Sequence, residues 1–154
     1  MRILVTRAVS VGHVKIFMPG KFFLDSNILA YAQDGASPDK QRKSRELIAQ
    51  LAESGDGVIS TQIMQEFYVA ATRKLGVPPL AAKGVLKTFM VFEVVQVSPN
   101  LIQDAIDCSI LNELSYWDAL ILAAAFAAGC ATLYSEDLNA GQTILGVRVQ
   151  NPFL

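Results

Sequence analysis

A single histidine, His13, and two widely spaced cysteines, Cys108 and Cys130, leave this chain of 154 residues poor in soft metal ligands. Without a CxxC spacing, no structural zinc site can be assembled from them. Both cysteines fall in apolar helical stretches and are expected as buried, reduced thiols, as befits a reducing cytoplasm. Long hydrophobic runs are also missing. The apolar stretch 120–130 falls short of the roughly 18 residues a membrane span needs, so no membrane segment is expected. Charge of one sign is not in excess: 13 basic against 14 acidic residues give a formal net charge of −1. A bulk positive field for nucleic acid is thereby excluded, and any such binding must rest on a local patch. The turn Asp25-Ser26-Asn27 after the first apolar run has no glycine, which removes a dinucleotide-binding reading.

What is present suits a packed domain. A composition that is 52% hydrophobic and 18% charged excludes disorder and fits a sheet covered on both faces. Short apolar runs predict strands at 22–24, 58–60, 93–97, 131–134 and 147–149. Between them, apolar spacing predicts helices over 26–33, 39–53, 61–75, 80–89, 101–111 and 117–128. Strands alternating with helices imply an α/β fold, a three-layer α/β/α sandwich around a central, mainly parallel sheet. Residues 1–17 carry no acid, and Arg7, His13 and Lys15 interrupt any signal-peptide core. Met18-Pro19-Gly20-Lys21 then reads as a natural start, so residues 1–20 are expected to be an N-terminal extension and 21–154 a single domain.

Four acids stand where strand passes to helix: Asp25, Glu66, Asp118 and Asp137. Each has an ordinary explanation. Asp25 has the place of an N-cap, and Ser115 and Asp118 the spacing of a capping box. Glu66 lies at the edge of an apolar helix face, and Asp137 in a turn. Their joint placement is harder to explain that way, because loops at the carboxyl ends of parallel strands converge on one crevice. Carboxylates gathered there repel one another unless cations lie between them, and all-oxygen sites suit Mg²⁺ or Mn²⁺. A metal-dependent nuclease is therefore expected, with Ser26, Asn27 and Ser135 orienting the carboxylates.

Four segments carry a resemblance. They are Phe23-Leu24-Asp25-Ser26-Asn27-Ile28-Leu29, Gln65-Glu66-Phe67, Trp117-Asp118-Ala119-Leu120-Ile121 and Leu133-Tyr134-Ser135-Glu136-Asp137-Leu138. In order and approximate spacing they resemble the four motifs of PIN domains, above all the VapC-like ribonuclease toxins of bacterial type II toxin–antitoxin pairs. The resemblance covers about residues 21–150 and implies Mg²⁺- or Mn²⁺-dependent RNA cleavage. It also implies a homodimer and a small antitoxin that covers the active site. By motif the acids carry over as Asp25, Glu66, Asp118 and Asp137, all catalytic and metal-binding, with Glu136 competing with Asp137 for the fourth place. An apolar helical face including Phe89, Met90 and Phe92 is the expected docking surface for the antitoxin.

Two basic clusters are candidates for RNA support, Lys40, Arg42, Lys43 and Arg45 in one and Arg73, Lys74, Lys83 and Lys87 in the other. Solvated helix faces explain either equally well. Tyr116 and Trp117 flank Asp118 and offer stacking surfaces, with core packing the better reading for Trp117. Two rival functions are a PIN-like module that binds RNA or protein without cutting, and a haloacid-dehalogenase-like phosphatase. The phosphatase needs a second Asp two residues after the first, where this chain has Asn27.

Overall fold

A computed structural model describes residues 8–11, 14–17 and 20–154. Strands β1 (Ala8–Val11) and β2 (Val14–Phe17) pair antiparallel as a two-stranded sheet of their own. The expected extension over residues 1–20 otherwise involves residues 1–7, 12–13 and 18–19, which with Arg7 and His13 lie outside the described residues.

The second sheet has six strands: β3 (Phe22–Leu24), β4 (Gly57–Ser60), β5 (Glu93–Val95), β6 (Thr132–Tyr134), β7 (Thr143–Ile144) and β8 (Val147–Gln150). Their order is β5-β4-β3-β6-β8-β7, parallel throughout except for the antiparallel edge pair β7–β8. The chain leaves β3 toward β4 on one side, while β6 occupies its other side. The carboxyl ends of β3 and β6 therefore flank the point where strand order reverses, the usual place for a ligand crevice in such sheets.

Among the described residues, six α-helices flank the sheet: α1 (Ser26–Tyr31), α2 (Pro38–Ser54), α3 (Thr61–Val69), α4 (Pro79–Thr88), α5 (Pro99–Asn112) and α6 (Tyr116–Ala127). The expected α/β architecture with a mainly parallel central sheet is the one observed. Phe23, Leu24, Ile59, Leu133 and Val149 are fully buried, as strands covered on both faces require. Helix α6 is buried at seven successive positions, Ala119 to Ala125, and its alanines let it lie close against β4, β6 and β8. Both cysteines are buried, and burial pushes the Cys108 thiol up from its ordinary pKa. No single described helix is long and apolar enough to cross a membrane.

Three local expectations need correction. The third strand of the sequence reading ends at Val95 rather than at 97, because the Val97 N–H donates to Thr61 Oγ1 (3.2 Å) instead of a ladder. The single helix expected over 61–75 becomes α-helix to Val69 and then a π-helical turn over Ala70–Lys74, closed by Leu75 N donating to Ala70 O (3.2 Å). Phe89 and Phe92 are no docking surface. They are buried, with Phe89 edge-on to Phe67 at 5.1 Å, and only Met90 of the three is exposed.

Candidate active site at the carboxyl ends of the strands

Asp25 follows β3 directly and is held there by backbone, its N–H donating to the Tyr134 carbonyl at the end of β6 (3.0 Å). The residue is only 4% exposed. Oδ1 accepts from Ser26 N (2.7 Å), which caps α1, and Oδ2 accepts from Ser135 Oγ (2.6 Å). Longer contacts come from Ser26 Oγ and Asn27 Nδ2, both at 3.4 Å. Burial pushes the Asp25 pKa up to about 6, against the lowering effect of the Ser135 and Ser26 hydrogen bonds, and the charges of Glu66 and Asp137 raise it further. All three neighbours expected to orient carboxylates, Ser26, Asn27 and Ser135, thus touch Asp25.

Glu66 is brought to the same place by α3, whose start is capped by Ser60 Oγ accepting from Ile63 N (3.3 Å). Its Oε2 accepts from Ser26 Oγ (2.9 Å) and its Oε1 from Gln62 Nε2 (2.9 Å). Ser26 consequently bridges the first two acids. Gln62 escaped the sequence reading, although it stands one helical turn before Glu66, where side chains meet. The same Gln62 amide donates to the Trp117 carbonyl (3.2 Å), fastening the start of α6 to the site.

The loop after β6 gives the two candidates for the fourth acid different surroundings. Ser135 Oγ accepts from the backbone of Asp137 (3.2 Å) and Leu138 (3.3 Å) while donating to Asp25. Asp137 is exposed and acts on Asp25 through its charge. Glu136 turns elsewhere, its Oε1 paired with Lys40 Nζ at 2.6 Å. Asp118 lies in the first turn of α6, and its N–H donates to Ser115 Oγ (3.1 Å), the backbone half of the expected capping box. Its carboxylate accepts no hydrogen bond from the described residues, and it is not among the charges that shift Asp25. Asp25 is thus linked to Glu66 and Asp137, whereas Asp118 is tied to them, among the described residues, only through the neighbouring Trp117 carbonyl that Gln62 holds.

The donors at this end of the sheet are all oxygens, from carboxylates and serine hydroxyls, and that chemistry fits a hard divalent cation. The raised pKa of Asp25 points the same way, since a buried carboxylate with like charges beside it is relieved by a cation. Among the described residues, no three His, Cys, Asp or Glu side chains are yet close enough to enclose an ion.

Two openings meet over this group. One, of about 280 Å³, is lined by Asn27, Tyr31, Glu136 and Asp137. The other, of about 820 Å³, is lined by Glu66, Val69, Arg73, Ile102, Tyr116 and Trp117. Ser26, Ala70 and Lys74 border both. Of the two basic clusters, the first is largely engaged: Lys40 with Glu136, Arg42 with Asp39 and Glu46, and Arg45 Nε with the Ala32 carbonyl (2.8 Å). Arg73 and Lys74 of the second are exposed at the openings, and their side chains make no ion pair or hydrogen bond with the described residues. Trp117 departs from the core packing expected of it, being 63% exposed.

Solved structures of similar shape share the fold. A toxin–antitoxin complex from Klebsiella pneumoniae matches with a TM-score of 0.63 and 21% identity, over 86% of this chain and 98% of that one. The DNA-bound VapBC of Salmonella typhimurium matches with a TM-score of 0.64 and 19% identity, again over 86% and 98%. Mycobacterium tuberculosis VapC20, a toxin that cleaves the sarcin-ricin loop, matches with a TM-score of 0.61 and 19% identity, over 76% and 90%. No curated protein matches the sequence. The family model of the PIN domain matches residues 22–143, a span that reaches from β3 into β7 and takes in all four acids, and the chain belongs to the PIN domain family.

Proposed function

We propose that this PIN domain is a Mg²⁺- or Mn²⁺-dependent endoribonuclease, the toxin of a type II toxin–antitoxin pair. The observation that carries the reading is the nearly buried Asp25 with Glu66 and Asp137 acting on it, at the point where strand order reverses. Asp25, Asp118, Asp137 and Glu66 would hold the metal, which when bound supplies the Lewis acidity that phosphodiester hydrolysis requires. Ser135 and Ser26 fix the Asp25 carboxylate, and Gln62 fixes that of Glu66. A ligand set with orienting hydrogen bonds already in place needs little reorganisation when charge develops on the phosphate. Arg73 and Lys74, exposed beside the acids, supply the local positive charge that the net charge of −1 does not.

The toxin part of the reading draws on the relatives. One of the solved structures is a toxin–antitoxin complex, and a small antitoxin is accordingly the proposed partner here. We further propose that the active species is a homodimer of the 21–154 domain, in the cytoplasm, with residues 1–20 as an extension outside it. Cleavage of a mixed RNA pool by the purified protein tests the enzyme. Cutting should require Mg²⁺ or Mn²⁺ and vanish both in EDTA and in Asp118→Asn. A folded, metal-loaded, partner-free protein that cuts no RNA in such a pool would favour the non-catalytic binding module instead.

A further inference from the structure

We propose that Trp117, braced by Tyr116, is the platform on which an unpaired base of the RNA stacks, with the adjoining phosphate on Arg73 or Lys74. The inference rests on the ribonuclease reading and names a feature of its substrate. An indole is among the largest apolar surfaces a chain can bury, yet this one is left mostly in water at the first turn of α6. It is also held in place. Tyr116, itself packed against the core, meets the Trp117 ring edge-on at 5.0 Å and 69°, and the Trp117 carbonyl accepts from Gln62. Through that same amide the position of the ring is tied to Glu66, so a group resting on the indole is registered against the acids.

The surroundings select the occupant. Val69 and Ile102 add apolar surface to the same cavity, while Arg73 and Lys74 stand at its border without acidic partners among the described residues. A ligand that presents a flat aromatic face together with negative charge satisfies both, and a nucleotide of a single strand does so. Within a duplex the base faces are covered by their neighbours, so the platform calls for a loop or an unpaired stretch. The π-helical turn Ala70–Lys74 contributes to this arrangement, since it carries both cations and breaks the α-helical register just before them.

Trp117 is the only tryptophan of the chain, so its emission reports the platform directly. The whole protein is titrated in EDTA with a 10-nucleotide mixed-sequence RNA, with its abasic counterpart and with tripolyphosphate. Anisotropy of a labelled copy of the RNA measures affinity independently. Saturable quenching by the RNA, absent with the abasic strand and tripolyphosphate, is the expected result. Trp117→Ala should weaken RNA binding on the order of 10-fold, with most of the loss restored in Trp117→Phe. RNA that binds while the emission stays unchanged, or that binds Trp117→Ala as tightly as the parent, assigns the cavity to another occupant such as a protein segment. That overturns the platform and leaves the nuclease standing. A protein that neither retains nor cuts any RNA overturns the ribonuclease reading, and the platform falls with it.

Discussion

Asp25 holds its proton more tightly in the folded chain than out of it, with a pKa of about 6 against an ordinary 3.8. Between those values the native state binds more protons than the unfolded one, so this group's contribution falls as pH rises and is least favourable above pH 6. The cost at neutral pH is at most about 3 kcal/mol, from roughly two pKa units at 1.36 kcal/mol each. Asp25→Asn removes the charge while keeping an oxygen to cap α1. In EDTA this variant should therefore gain stability over the parent as pH is raised from 4 to 7, while losing cleavage. Urea midpoints for both proteins across that range check it, and a difference that does not grow with pH contradicts the linkage. A divalent cation should narrow the gap by stabilising only the parent. The residue was legible in the sequence as an acid after a strand, but its burial was not. That depends on Tyr134 and Ser135, more than a hundred positions away, closing over it.

Helix α3 and the π-helical turn that extends it link two functions on one element. Glu66 is carried by the regular part, and Arg73 and Lys74 by the irregular part. If these cations hold phosphates, the double variant Arg73→Gln, Lys74→Gln should flatten the dependence of log affinity on log salt. The expected change in slope is roughly 0.7 for each single-strand phosphate that is no longer neutralised. Anisotropy titrations over a series of KCl concentrations read this slope, and an unchanged slope removes the pair from the binding path. Periodicity predicted a helix there, and Ile63, Phe67 and Ala71 are buried on it, but it could not reveal the break at Ala70, because the apolar spacing runs on through it. Trp117 was misjudged for a related reason. Its hydrophobicity argued for the core, whereas α6 already fills its buried face with Ala119 to Ala125. The hairpin β7–β8 was half missed. Its turn is Leu145-Gly146, with φ of 54° and 73°, and Leu is not a residue that announces a left-handed turn position.

At the scale of the whole molecule, the sheet and its two coats of helices stand on apolar residues that the sequence displays openly. Phe67 is fully buried and meets Phe89 edge-on, so Phe67→Ala should cost about 3–5 kcal/mol through the packing it removes and the cavity it leaves. Denaturant unfolding measures this, and a loss below about 1 kcal/mol would deny Phe67 its central place. Strand order, by contrast, is set by long-range pairing and left no mark in local pattern. That same pairing has a temporal consequence. The hydroxyl that steadies Asp25 belongs to Ser135, 110 positions later, on the loop leaving a strand that must insert between β3 and β8. During synthesis Asp25 and Glu66 emerge from the ribosome well before Ser135 and Asp137, and pairings of such separation form late. The acidic centre is accordingly assembled late. Its assembly waits on β6 and the loop that follows, so a chain in which β6 has not yet paired between β3 and β8 is still without it.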